Sequence, residues 1–194
     1  MWVSEYTPMG YPGGDSAMNM QGGLTLARNI LTDFHLLHPT GWVYWQAVET
    51  GRLGLLKAPY DQPHARGFAI TPLYYALGQF SRFIRPGARI IDTQDNNTLA
   101  AYDPTAHTLT LVAVNDNNPS AERTVAYDLS HFSARGGSVS AYRTSAALLK
   151  AGEGGLFLLP SGTARLQGGG RDQLTVTLPA QSITTYIVHA VRTE

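Results

Sequence analysis

The sequence contains no cysteine. Disulfides, zinc–thiolate centres, iron–sulfur ligation and thiol nucleophiles are therefore excluded together. Charge is scarce as well: 14% of the 194 residues are charged, and 14 Lys and Arg balance 14 Asp and Glu. The two lysines, Lys57 and Lys150, lie far apart and the arginines are dispersed. With no field of one sign, nucleic-acid binding is not expected. No apolar run approaches the roughly 18 residues of a membrane span, so no membrane association is expected either. The opening Met1-Trp2-Val3-Ser4-Glu5 has neither the charged region nor the apolar stretch of a signal peptide. Chemistry-bearing motifs are few. The six histidines show no His-Glu-x-x-His spacing, and the lone His35-Leu36-Leu37-His38 pair has no third histidine near it in sequence, so no metal site is expected. Ser4-Glu5 lacks the glycines of a nucleophile elbow, and the glycine pairs do not form a phosphate loop.

What the sequence does have is Gly (20), Pro (11) and Tyr (10), a composition that favours sheets and shaped loops. Its texture changes near residue 86. Before that point, short strand-like runs alternate with amphipathic helices. Trp2–Tyr6 reads as a strand followed by a Pro/Gly loop, in which Asp15 or Ser16 can cap a helix. Leu24, Ala27, Ile30, Leu31, Phe34 and Leu37 recur at helical spacing, with Arg28, Asn29, Asp33 and His35 on the wetter side. Gly41–Ala47 reads as an aromatic, β-branched strand, and a long polar loop then runs to about Gly67. Thr71-Pro72 starts a second helix, a hydroxyl cap before proline, and Arg85-Pro86-Gly87 stops it. Strand, helix, strand, helix is the pattern of a parallel sheet with covering helices. After residue 86 the chain reads as strands at 88–93, 98–102, 108–115, 122–129, 138–143, 163–167, 173–178 and 182–191. Several alternate cleanly, as in Leu109, Leu111, Ala113 and in Leu174, Val176, Leu178, and this spacing implies a two-sheet antiparallel sandwich.

Glu5 ends a strand-like run just before the Pro/Gly loop. In an α/β barrel, strand ends are where catalytic side chains converge, and a carboxylate there can attack a sugar carbon or move a proton. The plain alternative is a solvated glutamate, or one paired with an arginine such as Arg82. Trp42 and Tyr44 should face one way and Val43 and Trp45 the other. Trp45 then offers a flat ring to a sugar, with Gln46 adding amide hydrogen bonds, while Val43 and one or two aromatics go to the core. Glu49, in the following loop, can bind sugar hydroxyls or simply be wet. Asp92, Asp95, Asp103 and Asp116 are carboxylates of the right type for calcium, but turn capping accounts for them better.

At Trp2-Val3-Ser4-Glu5-Tyr6 and Gly41-Trp42-Val43-Tyr44-Trp45-Gln46 the chain resembles glycoside hydrolase family 30, its fungal endo-β-1,6-galactanase-like members above all. Pro72–Gly87 and Leu178–Tyr186 extend the resemblance in the family's order. The resemblance implies a fold of α/β plus all-β type: the C-terminal fragment of a (β/α)8 TIM barrel over residues 1–86, then an antiparallel β-sandwich over residues 87–194. It implies that Glu5 is the catalytic nucleophile of a retaining glycosidase, with Tyr6, Trp45, Gln46 and Glu49 contacting the substrate and no cofactor required. The family's acid/base glutamate follows an Asn on the fourth barrel strand and has no counterpart before Trp2, so the chain is expected to be inactive alone. The implied parent is a monomeric extracellular enzyme acting on a β-linked polysaccharide or oligosaccharide, β-1,6-galactan first. The alternatives are another family member with a glucosyl, xylosyl or fucosyl substrate, and a non-catalytic carbohydrate-binding or structural remnant. By this reading, Trp42, Trp45, Ile30 and Phe34 should be partly exposed or packed in a non-barrel way.

Overall fold

The computed structural model describes residues 1–7, 19–50, 53–62, 64, 66–116, 121–134, 137–152, 155–167 and 172–193. The expected capping residues Asp15 and Ser16, and the Gly168–Gly170 turn, lie outside these. The first strand β1 (Trp2–Tyr6) pairs in parallel with β2 (Gly41–Tyr44), and helix α1 (Met20–Leu37) lies between them in sequence. Three short strands follow, β3 (Val48–Glu49), β4 (Leu56–Lys57) and β5 (Ala69–Ile70), forming a sheet of their own within the stretch expected to be loop. Helix α2 (Pro72–Ser81) and strand β6 (Arg89–Ile91) come next.

The remainder is strand-rich: β7 (Thr98–Asp103), β8 (Thr108–Asn115), β9 (Arg123–Asp128), β10 (Phe132–Ser133) and β11 (Val139–Ser145). A short helix α3 (Ala146–Ala151), which the sequence reading missed, precedes β12 (Phe157–Leu158), β13 (Arg165–Gln167), β14 (Gln173–Leu178), β15 (Ser182–Val188) and β16 (Arg192–Thr193). Six of these strands make one antiparallel sheet in the order β12-β11-β15-β8-β7-β6, and three make a second, β13-β14-β9.

The six-stranded sheet is buried on both faces, and strand alternation assigns its side chains to two cores. Leu109, Leu111 and Ala113 of β8, with Ala100, Tyr102, Tyr186 and Val188, meet Leu174, Val176 and Leu178 of the three-stranded sheet. On the opposite face, Leu99, Val112, Val114 and Ile183 meet Leu24, Leu26, Ala27, Ile30 and Leu31 of α1 and Leu73, Ala76 and Phe80 of α2. Of the outcomes expected for Ile30, exposure is not the one found: it is fully covered, and the sheet supplies the surface it packs on. Leu37, placed on the apolar stripe by its spacing, is exposed because α1 has by then passed the edge of that core. Gly23 lets the two helices approach: a Cβ there would stand 3.2 Å from the Pro72 carbonyl and 3.4 Å from the Ala76 Cβ.

The wetter side of α1 lies where expected, with Arg28, Asn29, Asp33 and His35 half-buried, and it carries polar contacts to other elements. Asn19 caps the helix, its side chain accepting from the Gly22 N–H at 3.2 Å, a contact typically worth about 1 kcal/mol. Arg28 makes a two-pronged pair with Asp116, Nε to Oδ2 at 2.9 Å and Nη2 to Oδ1 at 2.5 Å. His35 reaches the Thr98 carbonyl at 3.1 Å, and Asp33 accepts from the Trp42 indole at 2.8 Å. All three side chains fasten α1 to other elements. At the start of α2, Thr71 stands where expected, but its hydroxyl does not cap the helix. It donates instead to the Gly54 and Leu55 carbonyls at 3.0 and 2.9 Å, tying the preceding loop down. Gln79, fully buried, joins α2 to the sheet: its Nε2 donates to Thr144 Oγ1 at 2.9 Å, and its Oε1 accepts from Thr185 Oγ1 at 2.5 Å. Thr144 in turn donates to the Gly155 carbonyl.

Three of the aspartates singled out in the sequence, Asp95, Asp103 and Asp116, hold turns and ion pairs. Asp103 accepts from the N–H groups of Thr105 and Ala106, and Asp95 accepts from Thr98, Asn97 and Arg123. Burial would raise the Asp95 pKa. The hydrogen bonds from Thr98, Asn97 and Arg123 prevail and hold it below the ordinary 3.8. A carboxyl depressed in the folded state adds stability above its unfolded pKa and loses it as pH falls through the folded value. Asp95→Asn is therefore expected to flatten the acid limb of a melting-temperature against pH plot below about pH 4. An acid limb identical to that of the unsubstituted chain would contradict this.

Candidate active site

The candidate residues lie where β1 and β2 end side by side. Pairing runs Trp2 to Gly41 and Val3 to Trp42, then resumes at Tyr6 to Tyr44. Two residues of β1, Ser4 and Glu5, thus stand opposite the single residue Val43. This irregularity is a β-bulge, and one extra residue in a strand re-aims the side chains around it. The backbones rejoin beyond it, with the Trp45 N–H donating to the Tyr6 carbonyl at 2.8 Å. Tyr6 and Trp45 are joined in this way, and Glu5 and Gln46 are their neighbours in the chain.

On the α1 side the aromatic side chains form a ladder. Tyr6 and Trp42 have ring centroids 5.2 Å apart, and Trp42 stacks on Tyr44 at 6.5 Å. Trp42 and Tyr44 are half-buried, while Val43 and Trp45 are 46% and 49% exposed. The alternation is as expected, but Val43 belongs to the exposed set and not to the core. It sits on the face that α1 leaves uncovered. Glu5 is exposed and makes no hydrogen bond or ion pair with any described residue. The alternative partner Arg82 sits elsewhere, its guanidinium 5.5 Å from the Phe83 ring centre and 5.4 Å from that of Tyr142.

Glu49 is less available than its loop position implies. It lies in β3, half-buried, and its Oε2 accepts from the N–H groups of Leu53 and Gly54 at 2.6 and 3.1 Å. The Tyr44 hydroxyl donates to the Leu53 carbonyl at 2.6 Å, so the same loop is gripped from two sides. Burial pushes the Tyr44 phenol upward, and the neighbouring Tyr6 and Glu49 add to the rise. Burial likewise raises Tyr6, with help from the Asp33 carboxylate. Both phenols therefore stay neutral donors at neutral pH. Sequence reasoning missed Tyr44 and Asp33 as parts of this framework; the aromatic run marked the strand, but only the fold brings Asp33 under Trp42.

Gly54 has no room for a side chain, since a Cβ would fall 2.5 Å from the Leu56 carbonyl and 2.8 Å from the Glu49 nitrogen. Gly54→Ala is expected to destabilise the chain by about 1–3 kcal/mol and to weaken the protection of the Leu53 and Gly54 amides in hydrogen exchange. Unchanged protection would show that the loop does not depend on this contact.

Among the described residues, no group of three or more His, Asp or Glu is arranged to hold a metal ion. A groove of about 760 Å³ opens at the start of β2, lined by Phe34, His38, Trp42, Phe80, Ile84 and Arg85 among others. None of Glu5, Tyr6, Trp45, Gln46 or Glu49 lines it. The polar chemistry is at the other end of the strand.

No family model matches the chain. Over 129 residues it is 36% identical to an endo-beta-1,6-galactanase of Hypocrea rufa, covering 66% of this chain and 24% of that protein. The chain is glycoside hydrolase family 30-like. What it resembles is the C-terminal portion of such enzymes. In fold it is similar to the catalytic domain of the family 30 xylanase C from Talaromyces cellulolyticus, with a TM-score of 0.72 and 24% identity, covering 96% of this chain and 40% of that one. A family 30 subfamily 8 xylanase from Clostridium acetobutylicum gives 0.69 and 21%, over 97% and 42% of the two chains. The chain thus spans about a quarter of its curated relative's length.

Proposed function

We propose that this chain provides the nucleophile and the sugar platform of a retaining glycoside hydrolase that cleaves β-1,6-galactan. One observation carries the reading: Glu5, exposed and without a partner among the described residues, stands at a bulged strand end beside Tyr6, whose carbonyl accepts from the N–H of the exposed Trp45 just past the neighbouring parallel strand. The name of the Hypocrea rufa relative supports the choice of galactan. In this reading β1, α1, β2 and α2 are the last two units of a TIM barrel, residues 1–86, and the two antiparallel sheets of residues 87–194 are a sandwich packed behind it. The parent is extracellular and monomeric.

Glu5 attacks the anomeric carbon as a carboxylate and forms a glycosyl-enzyme intermediate, which water then releases. The exposed ring of Trp45 takes the apolar C–H face of a sugar, and Gln46 offers amide hydrogen bonds beside it. Tyr6, fixed against Trp42, turns a neutral hydroxyl toward the substrate. Glu49 contributes through the loop it anchors. A retaining site needs a second carboxyl group, roughly 5–5.5 Å from the first, to protonate the leaving oxygen. We assign that group to enzyme outside these 194 residues.

The test is covalent trapping. An enzyme containing this chain, treated with a mechanism-based fluorosugar matched to galactan, should carry the label on the peptide holding Glu5, as read by mass spectrometry. Label on Glu49 would move the nucleophile there. Saccharide binding without label or turnover would favour the non-catalytic binding module, which the exposed Trp45 ring also suits.

A further inference from the structure

Asn96-Asn97-Thr98 is the one Asn-X-Ser/Thr triplet in the sequence whose middle residue is not proline; Asn118-Pro119-Ser120 is disqualified. The triplet occupies the turn that leads from β6 into β7. Its three side chains have different fates. Thr98 is fully buried, its hydroxyl donating to Asp95 Oδ2 at 2.7 Å and meeting the Tyr127 hydroxyl at 2.9 Å. Asn97 is half-buried, and its amide donates to Asp95 Oδ1 at 3.3 Å. Asn96 is exposed, and only its backbone carbonyl is engaged, accepting from Arg28 at 3.3 Å. Its carboxamide makes no hydrogen bond with any described residue. The turn is held from beneath while one amide stands in solvent.

We propose that Asn96 is an acceptor for an N-linked glycan when the chain enters a secretory pathway. The proposal rests on the extracellular part of the functional reading, not on its catalytic part. The co-reactant is an oligosaccharide carried on a polyprenyl diphosphate. Asn96 Nδ2 forms a bond to the anomeric carbon of the first sugar and gives up one proton to a base of the transferase. The bond from that carbon to the diphosphate oxygen breaks, and the lipid diphosphate leaves with the electron pair. The threonine hydroxyl belongs to the motif that is read, yet Thr98 is buried once the turn has closed. Transfer therefore precedes closure of the turn, on the emerging chain. Afterwards the glycan stands clear of both cores, because Asn96 contributes to neither.

The experiment uses the full 194-residue chain behind a cleavable secretory leader, translated in the presence of endoplasmic-reticulum microsomes. Leader removal and protection from added protease identify translocated chains. These are expected to migrate more slowly, and an amide-cleaving glycosidase should abolish the shift and leave aspartate at position 96. Asn96→Gln, an exposed change that leaves the packing untouched, should lose the shift. Asn97→Gln, which preserves the triplet, should keep it. Translocated chain that shows no shift overturns the proposal, as does a shift that survives in Asn96→Gln. Failure of the catalytic reading would appear instead as absent label at Glu5, with the glycan shift unaffected.

Discussion

Replacing Glu5 by Gln in an enzyme that contains this chain is expected to abolish turnover while saccharide binding persists. The amide keeps the shape of the side chain but removes the charge and the attacking oxygen, so no glycosyl-enzyme intermediate can form. Loss of a covalent nucleophile typically costs about 10⁴-fold or more in kcat. Binding should survive because Trp45, Gln46 and the loop held by Glu49 are untouched. Glu5 is exposed and has no partner among the described residues, so the substitution should leave the melting temperature in place. The measurement is kcat on de-arabinosylated arabinogalactan alongside saccharide affinity. Near-normal kcat in the variant would remove Glu5 from the chemistry.

The largest effect on stability is expected at Gln79. Both ends of its amide are used inside the protein, on Thr144 and Thr185, and its backbone carbonyl accepts a further bond from the Thr185 hydroxyl at 2.9 Å. Gln79→Ala removes two side-chain hydrogen bonds and leaves a cavity between α2 and the sheet. The combined cost is about 2–4 kcal/mol, which for a chain of this size lowers the melting temperature by roughly 5–15 °C. The exposed Gln62 provides the control, since Gln62→Ala should change stability by less than about 0.5 kcal/mol. Equal effects at the two positions would show that the buried network contributes nothing beyond packing.

Local pattern made most of the strands and both long helices readable. Hydrophobic period, residue type and cap and turn residues together locate β1, α1, β2, α2 and eight of the later strands to within a few residues. Helix α3 escaped because Ala146–Ala151 is under two turns long and buries no side chain fully, Ala146 and Leu149 being only half-buried, so no apolar period can be read along it. The partners of Arg28, Asp33 and His35 were not legible because the groups that hold them lie 88, 9 and 63 residues away in sequence. Thr71 was placed correctly at a helix start, yet its hydroxyl found two carbonyls of a loop that a helix-start rule does not consider. Residue type and position at strand ends suffice to mark Glu5, Trp45 and Gln46 as candidates. The bulge that distinguishes them could not be read, because one unpaired residue leaves no trace in a five-residue strand. Glu49 shows the opposite limit: its residue type suggested chemistry, while nearby amides had already claimed one of its oxygens.

Strand β8 serves two interiors at once, and this makes its length less negotiable than its composition. Odd-numbered positions from Leu109 to Ala113 face one core, and Val112 and Val114 face the other. Substituting one aliphatic residue for another perturbs a single interior and is repaired locally. Inserting or deleting one residue in Thr108–Asn115 would instead exchange the contents of both interiors beyond that point. Natural variation along this strand should therefore consist of replacements, with changes in length pushed out to the turns at either end.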